Sequence, residues 1–568
     1  MLSRRAVPRS RLADDARARR GHGRRGPRGT CRFRDDRSER PLDLPRRRHR
    51  GGAQAWRRRV PHQLSAGRLL GGPPGRDARP RRDGGQRPRD SPLPPPGLRS
   101  VARAPAVRAE AVVGQILAID QGTTGTTCLV VDPHLAVRGR GYAEVPQYFP
   151  RPGWVEQEPE ELWDSVLAAA AEALADAGIE ARDLTAIGIA NQRETTIVWE
   201  RRTGRAVHRA IVWQDRRTAE RCRELPRDLL RDRTGLVPDP YFSATKLEWL
   251  LSEREPAGLA FGTVDSWLVW KLTGGAVHVT DVSNAARTLL FDLRRLEWDD
   301  ELLELFGVPR EVLPAIVPSA GRLVEADFFG ARLPVCGIAG DQQAALFGQA
   351  CFRTGQAKAT FGTGSFVLVN IGEDPGNPRE GLVQTIAWRL GPEERPVYAL
   401  EGSIFVTGAA IQWLRDGLGL LASAAESEAA ARSLEGNDGV YFVPALAGLG
   451  SPHWQPEARG LIAGLTQSTR REHLVRAALE AMAYQVADVL DAVGVRLEGL
   501  RADGGAAANR FVMQLLADVA RIPVEVPRER ETTALGAAAL AGLGAGVWAG
   551  MEELSADWRP ADRYEPEL

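Results

Sequence analysis

An α/β fold made of two similar halves is the architecture that this sequence predicts. Short apolar runs with the length of strands alternate with an amphipathic stretch that has the periodicity of a helix. In addition, the segment 357–371 repeats the pattern of residues 116–132, which is a strand, a Gly/Thr-rich turn and a second strand, about 240 residues later. A chain of 568 residues is also long enough for several domains.

The individual elements follow in order from the first hairpin. Residues 116–120 (ILAID) and 128–132 (CLVVD) have the composition of strands and flank the turn QGTTGTT. A helix is predicted over Pro159–Ala177, because Pro suits the first helical turn. Its apolar side consists of Leu162, Val166, Ala169 and Leu174. Further strands are predicted at 186–191, 196–200 and 210–214, and a strand, a Gly-Gly turn and a helix at 500–519.

The first 110 residues differ from the rest of the chain. They contain 31 arginines, no lysine and 10 acidic residues, whereas the remainder carries 44 basic and 63 acidic residues. So polar a segment cannot bury enough apolar surface to fold, and we expect residues 1–112 to be disordered. It could be translated non-coding sequence upstream of the true start, a basic tail that contacts nucleic acid, or a transit peptide. The acidic character of the remainder argues against nucleic-acid binding by the rest of the chain.

Removing residues 1–112 is expected to leave both activity and thermal stability unchanged within error. The reason is the composition of the segment, which offers no core. Thermal unfolding and turnover of the full chain and the truncated chain provide the measurement. A large loss of folded protein after truncation would contradict the interpretation.

The cysteines and the one long uncharged run exclude two classes of protein. The five cysteines are scattered and form no C-x-x-C pair, so neither a disulfide framework nor a zinc site is expected, and a reducing cytoplasm suits them. Residues 532–551 carry no charge, but they consist mainly of Ala and Gly. Their transfer energy is weak for membrane insertion, and we expect a buried helix without membrane insertion.

Three polar motifs follow predicted strands and are candidates for the chemistry. No G-x-x-x-x-G-K-[ST] motif occurs, so a nucleotide site must be of another type. In Asp120–Thr124 (DQGTT), Gly allows close backbone approach, Thr donates to phosphate, and Asp120 can hold Mg²⁺, although an ordinary hairpin would look the same. Asn191–Thr195 (NQRET) offers donors and acceptors for a small polyol, or forms a surface turn. Asp341 in GIAGDQQ is either a helix N-cap or a catalytic base.

Taken together, the motifs identify a family. They occur in the order DQGTTG, GIANQRETT, AIVWQDRRTA, DPYFSATKLEWLL, TVDSWLVWKLTG, GIAGDQQAALFGQ, FGTGSF, GAAIQWLRD and DGGAAANRFVMQ. This series closely resembles the glycerol kinases of the FGGY family of carbohydrate kinases, from about Gln115 to about Trp548. DPYFSATK and GDQQAALFGQ resemble glycerol kinases in particular, rather than the sugar kinases of the family.

The resemblance implies a fold, an activity and a setting. The fold is the actin-like ATPase fold, with two ribonuclease-H-like domains and a cleft between them. It suggests domains at 113–354 for glycerol and phosphate and at 355–550 for nucleotide, followed by a tail at 551–568. The implied activity is the ATP- and Mg²⁺-dependent phosphorylation of glycerol to sn-glycerol 3-phosphate in the cytoplasm, by a dimer or tetramer. Alternatives are a kinase for another small polyol or ketose, and an actin-like interaction protein, which would not need Asp341.

The resemblance also assigns roles to individual residues. Asp341 is the implied catalytic base, and Asp120 lies by the metal. The implied glycerol contacts are Arg193, Glu194, Tyr241, Asp341 and Gln342, with Trp213 and Phe366 against the carbon backbone. The implied nucleotide contacts are Thr123, Thr124, Gly125, Thr363, Gly408, Gln412, Gly505 and Asn509. One position departs from the family, since Thr127 stands where most relatives have an Arg that contacts phosphate.

Overall fold

A computed structural model describes residues 114–567 of the chain. The predicted disorder of residues 1–112 therefore lies outside the described residues. Among the described residues, no helix combines the length and the apolar character that a membrane span requires.

The described chain contains strands throughout and helices between them. The strands before residue 350 are β1 Ile116–Gln121, β2 Gly125–Val131, β3 Val137–Glu144, β4 Glu156–Gln157, β5 Ala186–Asn191, β6 Ile197–Glu200, β7 Ala210–Ile211, β8 Leu259–Gly262, β9 Val279–Asp281, β10 Phe291–Asp292, β11 Glu297–Trp298, β12 Ala315–Val317, β13 Ala320–Phe328 and β14 Ala331–Gly340. Those after it are β15 Gln356–Phe361, β16 Ser365–Gly372, β17 Val383–Trp388, β18 Val397–Ile404, β19 Tyr441–Val443, β20 Leu461–Ala463, β21 Gly499–Gly504, β22 Val524–Pro527 and β23 Pro560–Tyr564.

The helices divide in the same way. The helices before residue 350 are α1 Pro159–Ala177, α2 Ala219–Arg223, α3 Arg227–Thr234, α4 Ser243–Leu251, α5 Val264–Leu272, α6 Val282–Ala285, α7 Asp300–Leu305 and α8 Asp341–Gly348. Those after it are α9 Gly408–Gln412, α10 Glu426–Arg432, α11 Arg471–Val493, α12 Arg510–Ala520, α13 Thr532–Ala545 and α14 Met551–Asp557. Helix α1 has the bounds that the sequence predicts, and its four predicted apolar residues are buried.

Two large sheets share one spatial order of strands, which confirms the predicted duplication, although the outer edge strand precedes its partner in the chain in the first sheet (β13 before β14) and follows it in the second (β23 after β22). The first sheet has the order β13-β14-β5-β1-β2-β3 and the second has the order β17-β18-β16-β15-β21-β22-β23. In each sheet the opening hairpin is antiparallel, and its first strand pairs in parallel with a later strand, β5 beside β1 and β21 beside β15. The next strands outward are also parallel to their inner neighbours, β14 to β5 and β22 to β21. Each is then flanked by an antiparallel edge strand, β13 beside β14 and β23 beside β22. The chain thus builds the same sheet twice, with β17 added to the second copy.

The C-terminal segment 551–568 is not the simple tail that the sequence suggests. It contains α14 and the edge strand β23, which runs antiparallel to β22 with Tyr564 opposite Val524. By topology β23 is the counterpart of β13. Its sequence, PADRY, lacks alternating apolar residues, because an exposed edge strand buries little of either face.

Helix α13 is the buried helix that the Ala/Gly-rich run predicts, but it packs on the first sheet although it follows the strands of the second. It lies against β14, β5, β1 and α8. A Cβ atom at Gly536 would lie 1.8 Å from the carbonyl oxygen of Ala344, and one at Gly188 would lie 2.1 Å from that of Ala537. The small residues let the backbones of α13, α8 and β5 approach each other closely. This helix therefore belongs by chain position to the predicted segment 355–550 but packs on the sheet of the predicted segment 113–354, and the domain boundaries stay a prediction.

The predicted strand at 210–214 is much shorter than expected. Only Ala210 and Ile211 pair, with β4. The chain then leaves the strand because the carboxylate of Asp215 accepts hydrogen bonds from the backbone N–H of Val155 at 2.7 Å and of Arg217 at 2.8 Å. This turn brings Trp213 to the candidate site.

Candidate active site

The hairpin β1–β2 forms as predicted and carries Asp120 at its end. Asp120 pairs with Thr127 across the two strands, and the turn closes with a 2.9 Å hydrogen bond from Gly122 N to the Gly125 carbonyl oxygen. Thr123 Oγ1 accepts a hydrogen bond of 2.9 Å from Trp213 Nε1, while Thr124 is exposed. The hairpin therefore presents the exposed hydroxyl of Thr124, while the hydroxyl of Thr123 is held by Trp213.

Gly125, a predicted nucleotide contact, lies directly under the side chain of Tyr142. A Cβ atom there would lie 2.4 Å from the hydroxyl oxygen of Tyr142, whose ring covers this end of the hairpin. Thr127 also lies opposite Tyr142, across β2 and β3. Gly125 and Thr127, the second of which departs from the pattern expected of relatives, thus both lie beside the ring of Tyr142.

Asp341 is the first residue of α8, and Gly340 is the N-cap, so the N-cap interpretation of Asp341 is wrong. Its Oδ1 accepts a 2.7 Å hydrogen bond from Gln342 N and lies 3.3 Å from Arg193 Nε. Its side chain is 27% exposed, which leaves it open to an incoming ligand. Burial and the nearby Asp341 carboxylate raise the pKa of Asp120 well above its usual value. The two predicted acidic residues are therefore neighbours.

Arg193 and Glu194 lie in the loop after β5, and both side chains are buried. Glu194 has a φ of 61°, which is uncommon for a residue other than glycine and marks a backbone held by its surroundings. Arg193 Nη2 donates to the hydroxyl of Tyr241 at 3.1 Å. The structure thus brings together Arg193, Glu194, Tyr241 and Asp341, all predicted from the sequence.

Two site residues, Glu401 and Arg287, were missed by the sequence analysis. Arg193 donates to both oxygens of Glu401, at 2.5 and 3.1 Å, and Arg287 Nη2 donates to Glu401 Oε1 at 2.9 Å. Arg287 Nε also donates to Glu194 Oε1 at 2.6 Å. Burial alone would raise the pKa of Glu401, but the two guanidinium groups lower it to about 2. These four charges join β18 of the second sheet to the loops of the first.

Three aromatic rings, all from residues predicted to contact glycerol, lie together at this site, and their contact with glycerol stays a prediction. The ring centroid of Trp213 lies 5.5 Å from that of Tyr241 and 6.2 Å from that of Phe366, both in edge-to-face geometry. All three residues are half-buried. Trp213 comes from the first half of the chain and Phe366 from β16, so the apolar wall is also shared.

Gln342 points toward the second half of the chain. Its Oε1 accepts a hydrogen bond from Lys358 Nζ, which also donates to Thr360 Oγ1 at 3.0 Å. Burial lowers the pKa of Lys358 to about 8, although the carboxylates of Asp503 and Asp341 oppose that shift. Lys358 was not predicted as a site residue, because sequence reasoning looked for a lysine only in a P-loop. The glycerol contact of Gln342 stays a prediction.

The predicted nucleotide residues Thr363 and Gly408 lie in contact. Gly408 N donates to the Gly362 carbonyl oxygen at 3.1 Å, and Ala409 N donates to that of Thr363 at 3.0 Å. A Cβ atom at Gly408 would lie 2.5 Å from the Gly362 oxygen, so glycine is required there. Gln412 lies one turn further along α9 and is exposed.

Gly505 and Asn509 follow β21 at the same sheet edge, because Phe361 pairs with Gly504 across β15 and β21. Gly505 is exposed, and a Cβ atom added there would have no neighbouring atom within 4 Å. Asn509 is the N-cap of α12, and its side chain accepts from Val512 N at 3.1 Å. Asn509 thus has a clear structural role, and its nucleotide contact stays a prediction.

Placing an arginine at Thr127, where the sequence analysis expects one in most relatives, tests the phosphate side of the site. In Thr127→Arg the new guanidinium would project from the same face as Asp120, since the two residues are directly opposed. We expect KM for ATP to fall roughly tenfold, the effect of about 1.5 kcal/mol from one partly solvated charge-assisted contact, with KM for glycerol nearly unchanged. Steady-state kinetics with each substrate varied provides the measurement. An unchanged or higher KM for ATP would mean that the hairpin is optimised around Thr127 and Tyr142.

Comparison with known proteins agrees with this geometry. The models of the N-terminal and C-terminal domains of the FGGY family of carbohydrate kinases match residues 115–348 and 357–545. A glycerol kinase of Trichlorobacter lovleyi is 54% identical over 470 residues, which cover 80% of this chain and 94% of that protein. For a glycerol kinase of Bordetella parapertussis the identity is 52%, over 79% of this chain and 92% of that protein.

A solved structure provides the same assignment. The glycerol kinase of Plasmodium falciparum, crystallised with ADP, superposes with a TM-score of 0.75 at 34% identity, over 80% of this chain and 94% of that one. Both halves, the motifs that carry the site and the fold are thus shared with kinases of one family. This chain belongs to the FGGY family of carbohydrate kinases.

Proposed function

We propose that this protein transfers the γ-phosphoryl group of ATP to a terminal hydroxyl of glycerol, giving sn-glycerol 3-phosphate. The observation that carries the proposal is the position of the Asp341 carboxylate, which is partly open and lies 3.3 Å from the buried guanidinium of Arg193. The charged pair of Arg193 and Glu194, the phenol of Tyr241 and the rings of Trp213 and Phe366 lie around it. Such a mixture of polar and apolar groups suits a three-carbon polyol, which has a polar and an apolar face. The glycerol kinases that this chain resembles support the same substrate.

In the proposed reaction Asp341 accepts the proton of the attacking hydroxyl. A bond forms between that oxygen and the γ-phosphorus while the bond to the β,γ-bridging oxygen breaks, and ADP leaves. Arg193 and Glu194 hold the other hydroxyls, with Tyr241 and Gln342 beside them. Thr124 and Thr363 donate to phosphate oxygens from the two hairpins. Catalysis then rests mainly on positioning and on fixed charges and donors.

Mg²⁺ belongs to the proposal through Asp120. Within residues 114–567 no group of three or more His, Cys, Asp and Glu side chains forms a metal cage. Mg²⁺ commonly uses one or two carboxylates together with substrate phosphates. The pKa of Asp120 is raised by burial and by Asp341, so a cation beside it would stabilise its charged form. When bound, Mg²⁺ would neutralise charge on the β- and γ-phosphates.

The choice among acceptors follows from the apolar wall. Trp213 and Phe366 meet edge to face at a centroid distance of 6.2 Å, and we expect them to exclude chains longer than glycerol. A coupled assay of ADP release with glycerol, dihydroxyacetone and xylulose tests this directly. Glycerol should give the highest kcat/KM; a preference for xylulose would instead identify a kinase for a ketose. The proposal also includes a cytoplasmic setting, where ATP is supplied, and a homo-oligomer, for which size-exclusion chromatography with light scattering is the test.

A further inference from the structure

Asp281, between β9 and α6, is a buried aspartate that accepts five hydrogen bonds. Its Oδ1 accepts from Ser283 Oγ at 2.9 Å and from the backbone N and side-chain Nδ2 of Asn284 at 2.9 and 3.0 Å. Its Oδ2 accepts from Ser283 N at 3.0 Å and from Ser319 Oγ at 2.8 Å. A carboxylate satisfied this fully fixes every side chain that donates to it.

One of these side chains leads to the proposed base. Ser283 Oγ, while it donates to Asp281, accepts a 2.9 Å hydrogen bond from the backbone N–H of Gly340. Gly340 is the N-cap of α8 and directly precedes Asp341. The start of the helix that carries the proposed base is therefore held by Ser283, and Ser283 is held by Asp281.

A second side chain leads to the loop that carries Arg193 and Glu194. The amides of Asn284 and Asn191 exchange two hydrogen bonds, each of 3.0 Å. Asn191 is the last residue of β5 and lies opposite Gly340 of β14 in the parallel pair. Ser283 and Asn284 thus clamp the ends of two neighbouring strands, from which the proposed base and the proposed glycerol-binding pair both begin.

A third contact reaches the second half of the chain. Ser319, which donates to Asp281, also donates from its backbone N to the carbonyl oxygen of Arg389 at 2.7 Å and accepts from Arg389 N at 3.3 Å. Arg389 follows β17 of the second sheet. Asp281 is consequently linked to the two strand ends that carry the proposed site residues of the first half and, through Ser319, to the end of β17 in the second sheet.

We propose that Asp281 is a positioning residue for phosphoryl transfer, acting through Ser283 on Asp341 and through Asn284 on Arg193 and Glu194. The inference rests on the proposed function, since it supposes that these loops hold the base and the acceptor. A misplacement of about 1 Å in a reacting group can cost about 10²-fold in rate. Loss of the hydrogen bonds of Ser283 or Asn284 is therefore expected to lower turnover more than it lowers the stability of the folded protein.

Deletion of two matched hydroxyl groups separates positioning from stability. Ser283→Ala removes the hydroxyl between Asp281 and Gly340. Thr280→Val removes a hydroxyl that donates to Asp265, a neighbouring buried aspartate, at 2.7 Å. The same oxygen of Asp265 accepts from Asp281 N at 3.3 Å, so this control touches the backbone of Asp281 but not the carboxylate that holds Ser283. We expect Ser283→Ala to lower kcat about tenfold or more with KM for ATP unchanged, and Thr280→Val to keep the wild-type kcat. Thermal unfolding should show similar losses in both.

Asp281→Asn should lower kcat further than Ser283→Ala does, because the asparagine amide would point its own N–H donors at groups that donate to Asp281 in the wild type. If the Asp281→Asn protein does not fold, the Ser283→Ala variant decides the question by itself. Titration calorimetry with ADP checks that the nucleotide site stays intact. Equal kcat values in Ser283→Ala and Thr280→Val would overturn the inference. Turnover of the wild type distinguishes failure of this inference from failure of the proposed function. If the wild type does not turn over glycerol, the proposed function is refuted, and the positioning role is then tested by comparing the variants with the acceptor that the wild type does use.

Discussion

Asp341→Asn is expected to lower kcat at least 10²-fold, because general-base catalysis contributes about 10²–10⁴ and an amide does not accept the proton. Asparagine keeps an acceptor for Gln342 N, which donates to Asp341 Oδ1 at 2.7 Å, so the start of α8 should not change. Glycerol binding should survive for the same reason. Steady-state kinetics gives kcat, and titration calorimetry gives the affinity for glycerol.

A matched control is available at the start of another helix. Asp300 is the first residue of α7, as Asp341 is of α8, but its carboxylate pairs with Arg310 on the surface. Asp300→Asn should keep full turnover and bind glycerol normally. If Asp341→Asn turns over at nearly the wild-type rate, Asp341 is not the base.

Glu401→Gln is expected to destabilise the protein by about 3–5 kcal/mol, the range for removing one partner of a buried ion pair. The change leaves the buried guanidinium groups of Arg193 and Arg287 with Glu194 as their one remaining buried carboxylate, since Asp341, 3.3 Å from Arg193, is partly exposed. Because Arg193 then loses its partner in the second sheet, KM for glycerol should rise as well. Urea unfolding monitored by fluorescence measures the free energy of unfolding.

The pH dependence of that difference has a definite sign. The pKa of Glu401 is lowered from 4.5 to about 2, so its carboxylate contributes its full stability above pH 4.5 and loses that contribution as the pH falls toward 2. The gap in free energy of unfolding between wild type and Glu401→Gln should therefore be constant above pH 4.5 and shrink below it. A gap that grows on acidification would contradict this assignment of charge.

Two further variants show whether the charges act as a unit. In Glu401→Gln combined with Arg287→Gln, Arg193 keeps Glu194 and Asp341 beside it and no second buried guanidinium remains without its partner, so part of the lost stability should return. Glu498→Gln is the surface control: Glu498 pairs with Arg353 at 3.0 Å, the two side chains are 47% and 73% exposed, and the loss of the pair should cost at most about 1 kcal/mol. Strict additivity of Glu401→Gln and Arg287→Gln would show that the four charges are independent.

The residues that sequence reasoning found are those that lie in contiguous motifs. Asp120, Arg193, Glu194 and Asp341 each follow an apolar strand within a few residues, and the parallel pairing of β1, β5 and β14 brings the ends of those strands together. This is local information, since a strand that ends in a polar loop is visible in a short window. The duplicated hairpin at 357–371 was visible for the same reason.

By itself the sequence determined the α/β class, the duplication, the buried Ala/Gly-rich helix and the resemblance to the FGGY kinases. Tertiary structure alone decided that α13 packs on the first sheet and that β23 completes the second. It also decided that Glu401 binds Arg193 and that Asp281 binds Ser283 and Asn284, which hold the loops of the site. Glu401 lies 208 residues from Arg193 and 114 from Arg287, and Gly340 lies 57 from Ser283. Contacts over such separations depend on how whole sheets come together, and a single charged residue inside an apolar strand does not name its partner.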